Sequence, residues 1–311
     1  MRKINQLVLL LSAGLALNAF AKNEVVAFSS PSLYSPFQIK MSQAAAEAGK
    51  ALELKVQVLD GQDSSTKQTS DVDNSITKGA KAILIAPNDV NAIAAAVEDA
   101  INAGVVVATV DRKVISEKNI PHFGANNYLG GQKIAQELKA KFPDGANIIL
   151  LTGQPGSTSN IERTQGIRDE LKSYGTQYKI IVDQSGNWLR SEGLRIIESV
   201  LPTLKQKPDV ILSANDDMAM GAIEALRALG YKAGDITVTG FDAGPEALSR
   251  IQDDWLYVTA DQRPSYAVST ALSQIAGNLR EGKAIQGLDF APLIIKKQNV
   301  REAERITELK D

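Results

Sequence analysis

The chain has 311 residues, 44% apolar and 23% charged, with 34 Lys+Arg against 36 Asp+Glu, no cysteine and a single histidine, His122. This is ordinary globular material, and its length favours two domains over one core. Without cysteine there is no disulfide, thiolate nucleophile, iron–sulfur cluster or cysteine zinc site; one histidine cannot build a two-histidine metal site, and mixed charge lacks the basic face that nucleic acid needs.

The first residues read as a targeting segment. Arg2 and Lys3 form a basic start, Leu7 to Leu17 is mostly apolar, and Ala19-Phe20-Ala21 has the small-x-small pattern of a cleavage site. The apolar stretch falls short of the roughly 20 residues that span a bilayer, and polar Lys22-Asn23-Glu24 follows directly. A signal peptide over residues 1–21, cleaved after Ala21, is therefore expected. Its removal takes two positive charges and moves the formal charge from −2 to −4. With no cysteine to acylate, the exported protein is expected to be free and soluble in a bacterial periplasm.

After residue 24, short apolar, β-branched runs recur, each ending in a polar or Gly/Pro turn. They are Val25–Ser29, Lys55–Leu59, Ala82–Ala86, Val105–Val110, Asn147–Thr152, Lys179–Val182, Val210–Ala214, Ile236–Gly240 and Leu256–Ala260. Most are separated by segments of helical length. Val90–Ala103 carries Val90, Ile93, Val97 and Ala100 at helical spacing, and Met218–Leu229 carries Ala219, Ala222, Ile223 and Leu226. Strand–helix alternation predicts an α/β fold of parallel sheets covered by helices on both faces. The pattern restarts near Asn126, which suggests two lobes. A single (β/α)8 barrel fits the same periodicity, and no flexible linker separates the halves.

Ligands of open parallel sheets bind beyond the carboxyl ends of the strands. Those positions are rich in planar hydrogen-bonding groups: Asp111-Arg112 after VVVATV, Asn215-Asp216-Asp217 after VILSA, Asp242 after TVTGF and Gln262 after YVTAD. Trp188 lies shortly after KIIVDQSG, and Pro155–Arg163 reads as a loop entering a helix with Arg163 about one turn in. Taken singly, each has a structural reading: Asp and Asn as helix caps, Arg163 as a solvated charge, Trp188 and Phe37 as core aromatics, His122 as a structural residue at a strand end. Their recurrence on one rim supports a functional one. Two acids facing two arginines are charge-balanced, which favours an uncharged polyol over a phosphate or carboxylate. No nucleotide, nucleophile-elbow or calcium-loop motif is present, and a Ser-His-Asp triad would have to recruit His122. No enzyme, cofactor or metal is expected.

The segments VATVDRKV, PHFGANNYLGG, NIERTQGI, SANDDMAMGAIEAL, VTGFDAGPEAL and VTADQRPSYA run in an order that resembles the ribose-type periplasmic sugar-binding proteins of ABC importers, over the whole length from near residue 25. The wording of KVQVLDGQDSSTKQTSD, ILIAPNDVNAI, NIERTQG and GFDAGPEALSRI is most similar to inositol-binding members. The resemblance implies two doubly wound parallel-sheet lobes joined by three crossings, near Asn126, Arg263 and Ala291. The N-terminal lobe is then 24–126 plus 263–291 and the C-terminal lobe 127–262 plus 292–311.

The resemblance also implies ligand contacts at Phe37, Asp111, Arg112, Arg163, Asn215, Asp242 and Gln262, with Trp188 against the ring. Three positions depart from the ribose pattern: Ser35 replaces an Asn, Gln38 a second Phe, and Ala86 an Asn. Gln38 makes the pocket more polar and Ala86 is expected to free space, which suits myo-inositol or a hexose better than ribose. The implied mechanism is hinge closure on a neutral sugar or cyclitol, followed by delivery to the ABC importer's membrane permease. A hexose or pentose such as ribose, galactose or allose is the alternative ligand; a sugar-responsive regulator domain would need a DNA-binding headpiece where the signal peptide stands. A monomer is expected, and presentation of the ligand to a chemoreceptor is compatible with transport.

Overall fold

The computed structural model describes residues 23–309; the expected signal peptide lies outside them. The strands are β1 Val25–Ser30, β2 Lys55–Asp60, β3 Ala82–Ile85, β4 Val106–Val110, β5 His122–Ala125, β6 Ala146–Thr152, β7 Tyr178–Ser185, β8 Val210–Ser213, β9 Thr237–Thr239, β10 Thr259–Asp261, β11 Leu288–Phe290 and β12 Leu293–Ile295. The α-helices are α1 Pro36–Ala51, α2 Ser65–Thr77, α3 Ala94–Asn102, α4 Asn127–Lys141, α5 Thr158–Ser173, α6 Arg190–Val200, α7 Asp216–Ala228, α8 Pro245–Gln252 and α9 Pro264–Glu281.

Two open sheets result, not a barrel. The first has order β11-β5-β4-β3-β1-β2 and the second β7-β6-β8-β9, each with parallel neighbours throughout. A parallel bridge from Thr239 to Val258 leads the second sheet towards β10, which pairs antiparallel with β12. Each sheet has apolar clusters on both faces, as parallel sheets with near-continuous apolar strands require. On the first sheet, Phe28, Leu84 and Val110 pack against α1 and α9, while Ile83 and Ile85 pack against Val72 and Val97 of α2 and α3.

The chain passes between the sheets three times, after β5, after β10 and after β11. Helix α9 follows β10 yet packs on the first sheet through Val268, Leu272 and Ile275. Two close approaches set the helices beneath the later site. A Cβ on Gly131 of α4 would lie 2.1 Å from the Arg163 carbonyl of α5, and one on Gly166 of α5 would meet the Tyr128 carbonyl at the same distance. Only glycines allow this spacing.

Two expectations need correction. The helix read from Val90 starts at Ala94, because the Asp89 carboxylate accepts from the Asn91 and Ala92 amides at 2.9 Å each and holds a turn there. Val90 and Ile93 are buried all the same. The space expected at Ala86 is not in the pocket: the residue is fully buried in the core beside Phe28, and its carbonyl accepts from Gln68 Nε2 at 3.0 Å.

Candidate functional site

A cavity lies between the carboxyl ends of the two sheets. The residues implied as ligand contacts, with the departing Ser35 and Gln38, line it: Ser35, Phe37, Gln38, Asp111, Arg112, Arg163, Trp188, Asn215, Asp242 and Gln262. The first sheet supplies the loop after β1 with the start of α1, and the loops after β2 and β4. The second supplies α5 and the loops after β7, β8, β9 and β10.

On the first-sheet side, Asp111 has φ 62°, a left-handed turn that ends β4 and directs the chain away from a continuing helix. Gln38 Nε2 donates to Asp111 Oδ2 at 3.2 Å, and Ser30 Oγ donates to Gln38 Oε1 at 3.1 Å, so the Gln38 amide is oriented from both ends. Arg112 Nε lies 3.6 Å from the same Asp111 oxygen, an ion pair rather than a hydrogen bond. Ser159 Oγ, from α5, donates to the Asp111 carbonyl at 3.1 Å. Burial raises the Asp111 pKa against the pull of Arg112 and Arg163.

On the second-sheet side, Arg163 is 2% exposed, and each of its three guanidinium nitrogens makes one hydrogen bond. Its Nε and Nη2 donate to Asn127 Oδ1 at 3.2 and 2.6 Å, and Nη1 donates to the Ala214 carbonyl. Its guanidinium lies 3.6 Å from the Phe241 ring centre and 5.3 Å from that of Trp188. Burial lowers its pKa to about 10, which leaves it charged at neutral pH. Asp242, at φ 122°, accepts from Gln262 Nε2 at 2.6 Å. Burial raises Asp242 well above the usual carboxylate range; Arg163 opposes this and neighbouring Asp216 and Asp217 reinforce it.

Asn215 has both roles considered for it. Its Oδ1 caps α7 by accepting from the Met218 amide at 3.0 Å, and its Nδ2 donates to the Trp188 carbonyl at 3.2 Å, while the side chain also lines the cavity. Trp188, at φ 68°, sits against Gly153, where a Cβ would lie 2.2 Å from the indole. The Trp188 Nε1 and Arg112 Nε are buried and have no hydrogen-bond partner among the described residues. His122 stands apart from the cavity: its Nδ1 meets Thr109 Oγ1 at 2.9 Å, and burial lowers its pKa to about 3.

Four lining residues were not singled out: Ser32, Tyr34, Asp63 and Ser159. Asp63 is separated from β2 by Gly61-Gln62, which read only as a turn, so it does not directly end an apolar run as Asp111 does. Tyr34 Oη donates to the Asp63 carboxylate, and burial raises its pKa to about 12. With Asp63 in the wall, acids outnumber arginines, so the two-against-two balance read from the sequence is incomplete. The excess acid disfavours an anionic ligand further. What the site offers is carboxylates, amides and guanidinium groups for hydroxyls, with Phe37 and Trp188 as apolar surfaces for C–H faces.

The periplasmic binding protein domain matches residues 26–284. The ribose import binding protein of Bacillus subtilis (strain 168) is 33% identical over 279 residues, 89% of this chain and 88% of that protein. The crystal structure of a Caulobacter myo-inositol binding protein bound to myo-inositol is similar with a TM-score of 0.90 and 38% identity, covering 92% of this chain and 97% of that one. A periplasmic solute binding protein of an ABC transporter from Actinobacillus succinogenes 130z, with bound D-allose, gives a TM-score of 0.83 and 26% identity over 90% of this chain and 100% of that one. These relatives are sugar-binding transport proteins rather than enzymes. Among the described residues no helix is long and apolar enough to cross a membrane.

Proposed function

The chain belongs to the periplasmic binding protein domain family, as a sugar-binding periplasmic component of an ABC importer, and we propose that the molecule it captures is myo-inositol. The observation that carries this reading is the Gln38 amide, held by Ser30 and Asp111 in the cavity wall beside Phe37. It replaces a stacking surface by a donor and an acceptor, as suits a ring bearing a hydroxyl on every carbon. The 38% identity to a protein solved with myo-inositol supports the same choice.

In this reading the two sheets with their helices are lobes, 24–126 plus 263–291 and 127–262 plus 292–311, and the three crossings are the hinge. The ligand ring lies between Phe37 and Trp188. Its hydroxyls donate to Asp111 and Asp242 and accept from Arg112, Arg163 and Trp188 Nε1. Each buried polar group left unpaired costs roughly 1–3 kcal/mol, so the orphaned donors gain most when the lobes close on a ligand that reaches both. A ligand contacting both lobes favours the closed form by that difference in contacts, and the closed form is what the membrane permease reads. The working unit in this reading is a monomer.

A thermal-shift series of cyclitols, hexoses and pentoses, followed by calorimetric titration, tests the proposal. Ligand binding raises the apparent melting temperature by mass action, and myo-inositol is expected to raise it most. Ribose enters as the second reading because of the 33% identity to a ribose import binding protein. A larger shift with ribose or another pentose than with myo-inositol would reject the cyclitol assignment.

A further inference from the structure

Gln154, in the loop between β6 and α5, is outside the cavity wall, yet its amide stands between two residues of the opposite sheet. Arg112 Nη1 donates to Gln154 Oε1 at 3.3 Å, and Gln154 Nε2 donates to Asn88 Oδ1 at 2.8 Å. Asn88 is 5% exposed and donates in turn to the Asp63 carbonyl at 2.9 Å. Both ends of one second-sheet amide are therefore satisfied only by first-sheet groups, and one of those groups is the cavity-lining Arg112.

The surrounding contacts are of the same kind. The Val90 amide donates to the Gly156 carbonyl at 3.0 Å, and the Lys113 amide donates to Thr158 Oγ1 at 2.8 Å. Gly156, at φ 82°, lies so near Asp89 that a Cβ would meet its carboxylate at 2.2 Å. None of these contacts needs a ligand. When the lobes part, all are exchanged for water, and Arg112 Nη1 keeps the Pro87 carbonyl at 3.3 Å but loses Gln154, the acceptor that ties it to the opposite lobe.

We propose that Gln154 is a latch between the lobes: a positioning residue that populates the closed form before ligand arrives and holds Arg112 in its ligand-facing pose once closure has occurred. The latch rests on the reading of the cavity as the ligand site and of the crossings as a hinge. It predicts that ligand escape, which requires opening, is the step Gln154 slows.

The absence of cysteine makes the test direct. Ser70→Cys on α2 and Ser173→Cys at the end of α5, both exposed, carry spin labels whose separation reports opening in the full chain. The ligand-free parent is expected to show a minor closed population, and Gln154→Ala to lower it about threefold or more. With myo-inositol as the probe, Gln154→Ala is expected to raise the dissociation rate about five- to tenfold and to change the association rate less than about twofold. Adding Asn88→Ala should then cost little more, because the two residues share one contact. Gln154→Glu retains the acceptor for Arg112 but lacks the donor to Asn88, and should fall between. It also serves if Gln154→Ala does not fold. A ligand-free parent with no closed population, or one equally closed in Gln154→Ala, overturns the latch. A parent that fails to bind myo-inositol while its closed fraction still falls on substitution rejects the ligand reading and upholds the latch.

Discussion

Gln262 Nε2 donates to Asp242 Oδ1 at 2.6 Å, and this bond fastens a cavity acid to the point where the chain leaves the second sheet. The next residue, Arg263, adopts a left-handed conformation at φ 47°, and its amide donates to Asp261 Oδ1 at 2.8 Å. Asp242 is already held above the usual carboxylate range by burial. Replacing its donor with a second acid adds like-charge repulsion inside the same cavity. Gln262→Glu is therefore expected to weaken ligand binding at least tenfold at pH 8, about 1.4 kcal/mol or more. The loss should shrink near pH 5, where the pair shares a proton. Titration calorimetry at both pH values checks the sign, and a larger loss at the acidic value contradicts it.

Arg112 and Asp242 carry the ligand contacts from opposite sheets, so each truncation removes one side of the closed form. Arg112→Ala and Asp242→Ala are each expected to weaken binding at least about tenfold. Arg112→Lys should recover only part of the loss, since an ammonium cannot reproduce the planar fork that meets the Pro87 carbonyl, Gln154 and Asp111. Affinities near that of the parent in both alanine variants would remove the site assignment.

The parts of the fold that were legible are those with a strong local cause. Runs such as AILI and VVATV are rich in apolar and β-branched residues and carry no charge, and they became β3 and β4. Strands β11 and β12, LDF and LII, are three residues each, and β5 (HFGA) has no β-branched residue. Their pairing is decided by the neighbouring strand rather than by propensity. The strand-end rule placed Asp111, Asp242, Asn215 and Gln262 because each follows an apolar run directly. It passed over Tyr34 and Asp63, which reach the cavity through loop turns, Asp63 at φ 53°. Gln154 was invisible for another reason: its partners belong to the other sheet, and no local pattern encodes how two lobes meet.

Asp217 gives the ligand-free protein a pH dependence of defined sign. Burial raises its pKa to about 6 from an ordinary value of 3.8, against the pull of the Ser35 hydroxyl, which donates to Asp217 Oδ2 at 3.3 Å. The folded state thus binds a proton that the unfolded chain has already released. Stability from this group is greatest below the unfolded pKa and is lost as pH rises through about 6. Asp216, raised to about 7 also chiefly by burial, acts in the same direction. Asp217→Asn is expected to flatten, without abolishing, the fall in urea midpoint between roughly pH 4.5 and 7. An unchanged slope would mean that Asp217 is ionised throughout.

Gly153 ends β6 beneath the indole of Trp188, and its lack of a side chain is what lets the ring lie there. An added Cβ would sit 2.2 Å from two ring atoms, well inside contact distance, and Trp188 has little freedom to retreat because its backbone is already left-handed. The strand behind it stays packed, since Ile149 and Leu151 are fully buried in the apolar cluster on one face of the sheet. Gly153→Ala should consequently move the indole into the cavity rather than unfold the lobe. We expect ligand affinity to fall about tenfold or more, with a melting temperature of the ligand-free protein lowered by only a few degrees. With two tryptophans in the chain, a Trp255→Phe background isolates the Trp188 emission, which should shift in Gly153→Ala and lose its response to ligand. Unchanged emission with full affinity would show that the ring does not rest on Gly153.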